Sequence, residues 1–300
     1  MSDSTSTPYR AGFVTFVGRP NVGKSTLTNA LVGEKIAITS SKPQTTRRAV
    51  RGIVHRDDGQ LIIVDTPGVH RPRTLLGQRL NDLVEDVLLD VDVIGFCVPA
   101  DEPIGPGDRF INEHIDIAKQ ARKIAIVTKC EMTSKAKVAE QLLAVSELRD
   151  WDAVVPVSSL EGMNLDPLVS ELLKLMPESP QLYPDDMITE ERFEQRAAEL
   201  IREAALEGVH EELPHSIAVL IDDMIETDDD ILEIYANLFV ERDSQKGIVI
   251  GHGASRLKQV RQRASKQISA IAGRKVRVQL HVKVAKEWQR DAKQLGRLGF

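Results

Sequence analysis

Eight residues near the start of the chain, Gly18-Arg19-Pro20-Asn21-Val22-Gly23-Lys24-Ser25, have the types and spacing that hold a polyphosphate. Glycine lets backbone N–H groups close on phosphate oxygens with no Cβ in the way. A helix opening at the end of such a loop adds free donors and a favourable dipole. Lys24 then reaches the terminal phosphate oxygens, and the Ser25 hydroxyl ligates magnesium. A second short motif, Asp65-Thr66-Pro67-Gly68, follows the apolar run Leu61–Val64. After a phosphate loop, an acid at the end of a buried strand holds the metal, usually through water, and the Gly68 amide can face the last phosphate.

Elements that alternate between strand and helix must position these residues. Gly12–Val17 reads as a buried strand, followed by the glycine loop and a helix from Gly23. Val50–Arg56 and Leu61–Val64 are strands joined by Asp57-Asp58-Gly59, a hairpin turn. Val91–Val98, Lys123–Thr128 and Ala153–Val157 are further strands, and helices fall at Gly77–Leu89, Gly107–Gln120, Lys135–Leu148 and Asp166–Met176. Such alternation predicts an α/β domain with a mostly parallel sheet, helices on both faces and one antiparallel strand from the hairpin. Pro177, Pro180 and Pro184 mark a linker. Beyond it lie a helix over Thr189–Glu207, strands over Ser216–Ile225 and Ile231–Val240, a glycine-interrupted segment at Gly247–Gly253, a basic helix over Ser255–Ile271 and a strand over Val276–Val284. That α-β-β-α-α-β order predicts a second, α+β domain.

The length of 300 residues suits two domains. The net charge of −6 is unevenly spread: Arg242–Arg290 carries thirteen Lys/Arg against two acids, or +11, so the rest carries −17. An acidic chain with one basic end predicts a partner whose phosphates meet that end. The loop Gly251-His252-Gly253-Ala254, small at every position but His252, sits just before the basic helix, whose Arg256, Lys258, Arg261 and Arg263 can meet phosphates. A loop of this kind between two helices clamps about four nucleotides of single-stranded RNA. Cys97 and Cys130 have neither disulfide nor zinc spacing, and Cys97 reads as core. No apolar run spans a bilayer and Met1–Thr7 lacks the apolar core of a signal peptide, so the cytoplasm is the expected compartment.

The motifs Gly18–Ser25, Pro43-Gln44-Thr45-Thr46-Arg47 and Asp65–Gly68 resemble those of the bacterial Era GTPases. So do Leu182-Tyr183-Pro184, Pro214-His215-Ser216 and the terminal Leu298-Gly299-Phe300, and the resemblance covers nearly the whole chain. It implies a Ras-like GTPase domain over 11–176 and a type II KH domain with a C-terminal tail over 189–300; the polar start reads as a disordered tail over 1–10 and the prolines as a linker over 177–188. Implied ligands are GTP or GDP and Mg2+, the metal held by Ser25, Asp65 and a switch threonine; Thr46 aligns best and Thr45 is the alternative. Nucleotide contacts are carried onto Gly18 through Thr26 and onto Asp65, Thr66, Pro67 and Gly68, with Lys24, Thr46, Gly68 and Asn21 in catalysis.

GTPases usually read guanine with Asn-Lys-x-Asp; here Thr128-Lys129-Cys130-Glu131 stands in that place, and Ser158-Ser159 resembles the loop that meets guanine O6. A longer carboxylate and a hydroxyl in place of an amide predict looser base selectivity. Val69 occupies the position where Ras-like enzymes have a water-orienting glutamine, which predicts slow intrinsic hydrolysis. In some GTPases of the wider class an asparagine placed as Asn21 helps bind K+ against the phosphates. The family resemblance further implies binding near the 3′ end of 16S rRNA, a role in 30S subunit assembly, a monomeric state and at most peripheral association with the inner face of the cell membrane. Two other classes fit the sequence: an RNA chaperone whose nucleotide is structural, and a membrane-associated cell-cycle regulator.

Overall fold

A computed structural model describes residues 8–40, 42, 45–68, 72–209 and 213–300. The chain divides into two compact units, one formed by residues 1–37, 46–70 and 80–190, the other by 38–45, 71–79 and 191–300.

The first unit is built on a six-stranded sheet. Its strands are β1 (Arg10–Val17), β2 (Val50–Arg56), β3 (Gly59–Asp65), β4 (Val93–Pro99), β5 (Arg122–Thr128) and β6 (Ala153–Pro156), in the order β2-β3-β1-β4-β5-β6. β3 to β6 run parallel with β1, and β2 pairs antiparallel with β3 through the Asp57-Asp58 turn. The helices are α1 (Lys24–Val32), α2 (Leu75–Asp90), α3 (Pro106–His114), α4 (Lys135–Ser146) and α5 (Leu165–Leu175). Successive strand residues point to opposite faces, and each face has its own core. Val14, Phe16, Val93 and Cys97 pack with Leu27 of α1 and Leu168 and Leu172 of α5. Val17, Ile94, Phe96 and Val98 pack with Val84 and Leu88 of α2, Ile111 of α3 and Val145 of α4. The apolar runs that read as buried strands are buried because both faces are covered. β1 lies between β3 and β4, so the loop after β1 opens at the point where the strand order reverses, where open α/β sheets bind ligands.

Several boundaries differ from expectation; the helix expected from Thr189 begins at Phe193, and the strand expected from Ser216 begins at Ala218. β1 begins at Arg10, inside the expected tail, and the Arg10 N–H donates to Asp58 O. The helix expected to Gln120 stops at His114, with one 3-10 turn over Ile115–Ile117. The proline-rich segment is no free linker: Gln60, fully buried, accepts from the Leu182 and Tyr183 N–H groups, and Ile53 N–H donates to Ile188 O. Proline stops helices, but it leaves the neighbouring amides free to bond elsewhere.

The second unit contains α6 (Phe193–Leu206), α7 (Leu213–Ser216), β7 (Ala218–Glu226), β8 (Leu232–Val240), α8 (Asp243–Ile250), α9 (Ser255–Ala272), β9 (Val276–Val284) and α10 (Ala292–Arg297). The sheet order is β7-β8-β9, with β7 antiparallel and β9 parallel to β8. One face carries the core, where Leu200, Ile201 and Ala204 of α6 and Val260, Ala264 and Ile268 of α9 cover Ile234, Ala236, Leu238, Val278 and Leu280. Ile38 joins this core, and Glu203 accepts from the Thr39 N–H at 2.8 Å. Trp288 and Phe300 are candidates for stacking bases by residue type. Trp288 is instead fully buried, donates to Ser216 O at 3.0 Å and stacks on Phe300. Among the described residues no helix is long and apolar enough to cross a membrane.

Candidate functional site

The glycine loop follows β1 without a spare atom. A Cβ on Gly18 would lie 2.5 Å from Cys97 O, and the residue has φ +156°. Gly23 ends the loop in a left-handed conformation, so α1 opens at Lys24. The Lys24 ammonium donates to Gly18 O at 3.0 Å and Arg19 O at 2.9 Å. Burial holds it below the ordinary lysine range. Asn21 also has a positive φ, 65°. Asparagine tolerates that region better than most residues, so the backbone by itself accounts for its presence.

Ser25, Thr46 and Asp65 come together as the expected metal trio. Ser25 Oγ donates to Asp65 Oδ2 at 2.8 Å, Thr46 Oγ1 donates to the same oxygen at 3.2 Å, and the two hydroxyls are 3.1 Å apart. The Thr45 hydroxyl donates instead to Lys42 O. Asp65 is fully buried, and its Oδ1 has no partner among the described residues. Burial pushes its carboxyl up to about 6, against the pull of Ser25, the Lys24 charge and Thr46. A lone, buried carboxylate oxygen beside two hydroxyls suits a hard divalent cation. Thr66 and Pro67 are buried beside it, and Gly68 stands where an added Cβ would be 3.6 Å from Lys24 Nζ. Val69 and His70 lie outside the described residues, as do Pro43 and Gln44.

The base end is built differently from the expectation. Thr128, expected to contact a base, is 2 % exposed, and its hydroxyl lies 2.6 Å from Val22 O and 3.2 Å from Val98 O. Through these contacts Thr128 bolts β5 to the phosphate loop. Lys129 has φ 56°, a left-handed turn uncommon outside glycine, and Cys130 N–H donates to Val157 O at 3.2 Å. That bond joins the segment to the loop of Ser158 and Ser159. Ser158 is buried, its Oγ accepting from Glu161 N–H, and Ser159 is half-buried. Glu131 Oε2 is buried without a partner among the described residues. A buried carboxylate oxygen of this kind can accept from N–H donors such as those of a guanine edge.

In the second unit Gly251, His252, Gly253 and Ala254 turn the chain from α8 into α9. Gly251, Gly253 and Ala254 all have positive φ, at 74°, 56° and 60°. Alanine there costs about 1–2 kcal/mol relative to a right-handed conformation, so the loop holds its shape at the expense of local strain. Lys258 is exposed on α9, and Arg261 is half-buried and donates to Gln279 of β9. Arg256 departs from expectation: its guanidinium donates to Ala205 O, Glu207 O and Gly208 O. It caps the C-terminus of α6, whose last carbonyls have no partner within the helix. Arg263 pairs with Glu207. Sequence spacing put all four cations on one helix, but only the fold separates those turned to α6 from Lys258 and Arg261.

Two family profiles match the chain, a 50S ribosome-binding GTPase over residues 13–129 and a KH domain over residues 212–289. The GTPase Era of Leifsonia xyli subsp. xyli is 70% identical over 296 residues, covering 98% of this chain and 100% of the relative. That of Mycolicibacterium smegmatis is 60% identical over 298 residues, with the same coverage. The crystal structure of a point variant of Aquifex aeolicus Era bound to GDP.AlF4- is 35% identical with a TM-score of 0.92, covering 97% of this chain and 99% of that one. A structure of Era with MgGDPNP and nucleotides 1506–1542 of 16S ribosomal RNA is 36% identical with the same TM-score and coverage. Identity of this order, end to end in both chains, leaves one assignment: the chain belongs to the Era family of GTPases.

Proposed function

We propose that this chain binds GTP with magnesium, hydrolyses it slowly, and binds the 3′ region of 16S rRNA to assist maturation of the 30S subunit. The carrying observation is a buried carboxylate oxygen on each of Asp65 and Glu131 that has no partner among the described residues. One suits a magnesium ion at the phosphates and the other suits a guanine edge. The relatives with MgGDPNP, GDP.AlF4- and 16S RNA support both halves of the reading. Magnesium, when bound, spreads positive charge over the terminal phosphate oxygens.

The protein's own residues do the rest. Lys24 exchanges its bonds to Gly18 O and Arg19 O for phosphate oxygens, and the glycine-loop amides and the start of α1 donate to them. Asp65 keeps the Ser25 and Thr46 hydroxyls aligned. Gly68 offers its N–H beside Lys24. No polar side chain stands at Val69 to orient water, so the intrinsic rate is slow and the cycle works as a timer: the GTP form holds RNA, and hydrolysis releases it.

Crosslinking in cells followed by sequencing of the bound RNA tests the biological half. Reads should pile up at the 3′ end of 16S rRNA, and should fall in a Ser25→Ala variant. An even spread over cellular RNA would remove the ribosomal assignment.

Selectivity for the base gives a second expected outcome. Glu131→Asp shortens the acceptor by one methylene, and Thr128→Asn trades the bolt to Val22 O for an amide. The Glu131 carboxylate is fitted to this loop, so shortening it costs reach to the base, and the double variant binds GTP about tenfold more weakly. Titration calorimetry with GTP, XTP and ATP reads it. Tighter GTP binding by the variant would mean that the natural motif is a loosened one.

A further inference from the structure

One charged cluster outside the functional reading borders the phosphate loop. Arg19, the second residue of the phosphate loop, is gripped by two acids from the far side of β4. Its Nε donates to Asp108 Oδ1 at 2.8 Å, and its Nη2 donates to Glu102 Oε2 at 3.0 Å. The Asp108 side chain is 1 % exposed and that of Arg19 is 29 % exposed. The other Asp108 oxygen accepts from Gly105 N–H at 2.9 Å, so the same carboxylate starts α3. Between the two acids the helix is cut away to fit the arginine. A Cβ on Gly107 would lie 3.0 Å from Arg19 Cδ and 3.4 Å from its Cγ, so the stem lies flat on the first turn of α3. Glycine inside a helix costs stability, and here it makes room for a neighbour.

The grip is transmitted to the phosphate site through the backbone. Arg19 O is one of the two carbonyls that hold the Lys24 ammonium. Pro20, the next residue, stands against Gly68, where an added Cβ would be 3.7 Å from Pro20 Cγ and 3.6 Å from Lys24 Nζ. Fixing Arg19 therefore fixes the rim of the loop that touches both Lys24 and Gly68. A buried, hydrogen-bonded charge pair loses much when one partner is removed, because the other charge is left in low dielectric.

We propose that Asp108, with Glu102, is a positioning residue for the phosphate loop: it clamps Arg19 onto α3 and so restrains the loop rim that nucleotide must move to leave. Arg19 acts through this clamp as an anchor, its guanidinium held by the two acids. The inference rests on the nucleotide reading above and assigns the control of nucleotide release to α3, a helix without any recognised motif.

The test is release of a fluorescent GDP from the full-length protein, followed by stopped flow. Asp108→Asn keeps an acceptor for Gly105 N–H and loses the charge, and should speed release about tenfold. Arg19→Ala should do the same. The double variant should release no faster than either single one, since both remove one interaction. Arg149→Ala is the control: Arg149 ties the other end of α3, to Asn112 at 2.8 Å and Asp116 at 2.9 Å. It should lower the melting temperature and leave release as in the wild type. Should Asp108→Asn not fold, Glu102→Gln, at an exposed acid, and Arg19→Lys should each give a smaller acceleration. Release within twofold of wild type in these variants, additive effects in the double variant, or equal acceleration by Arg149→Ala would each overturn the proposal. A wild type that binds no fluorescent GDP removes the nucleotide reading and this inference with it; a wild type that binds, with unchanged variants, removes this inference alone.

Discussion

Replacing Asp65 with asparagine is expected to abolish magnesium-dependent GTP binding while making the nucleotide-free protein more stable at pH 8. The two effects share one cause. Asp65 is fully buried, and its carboxyl is pushed up to about 6 from an ordinary 3.8. Across that interval the folded chain holds a proton that the unfolded chain has released. Its stability therefore falls as pH rises from about 4 to about 6, and stays lowered above that. At 1.36 kcal/mol per unit, the loss at pH 8 is on the order of 3 kcal/mol. Asparagine carries no charge and still offers an oxygen to Ser25, so it removes most of this cost. Calorimetric melting in EDTA should show the transition of the first unit rise by several degrees at pH 8, by about 2–4 °C per kcal/mol, and the gain should shrink at pH 4.5. Titration with MgGTP should show no binding, because an amide does not neutralise the metal. A variant that melts lower than wild type at pH 8 would mean that Asp65 is not the strained group argued here. One that still binds MgGTP would take it out of the metal trio.

The residues around Asp65 were legible in the sequence because their geometry is local. A phosphate loop is one strand end, one turn and one helix start, and its eight residues encode all three. The hairpin of β2 and β3 was legible for the same reason, through Asp57-Asp58-Gly59. The two layers of the sheet followed from continuous apolar runs such as Leu61–Val64. What was hidden depends on distant contacts. Nothing in Pro106-Gly107-Asp108 points to Arg19, which lies 89 residues away along the chain. Thr128 looked like a substituted base contact, and only the nearness of Val22 O makes it a bolt. The prolines after Met176 mark a linker, and nothing in them shows that buried Gln60 supplies the oxygen that their neighbours need. Alanine, the residue at position 254, ordinarily resists a positive φ. The fold takes that conformation regardless, with φ 60°, because α8 and α9 are each pinned to the sheet by their own core residues.

The last expected result separates the cations of α9 by what they touch. Lys258→Ala with Arg261→Ala should weaken binding of the full-length protein to a single-stranded oligonucleotide from the 3′ end of 16S rRNA. Each phosphate contact on a single strand contributes about 0.7 to the slope of log affinity against log salt, so the double variant should lose roughly 1.4 of that slope. Arg256→Ala should behave in the opposite way. Its guanidinium is taken by the carbonyls of Ala205, Glu207 and Gly208. Removing it leaves the end of α6 without its cap and should cost the second unit about 1–3 kcal/mol of stability. Where the unit remains folded, the salt slope should stay that of the wild type, because no phosphate contact is lost. Fluorescence anisotropy from 50 to 300 mM salt, at a temperature where circular dichroism shows each variant folded, distinguishes the two outcomes. A flattened slope in Arg256→Ala would mean that RNA pulls its side chain away from α6. An unchanged slope in Lys258→Ala with Arg261→Ala would move the RNA path off the β9 side of α9, toward the exposed Lys266 and Gln262.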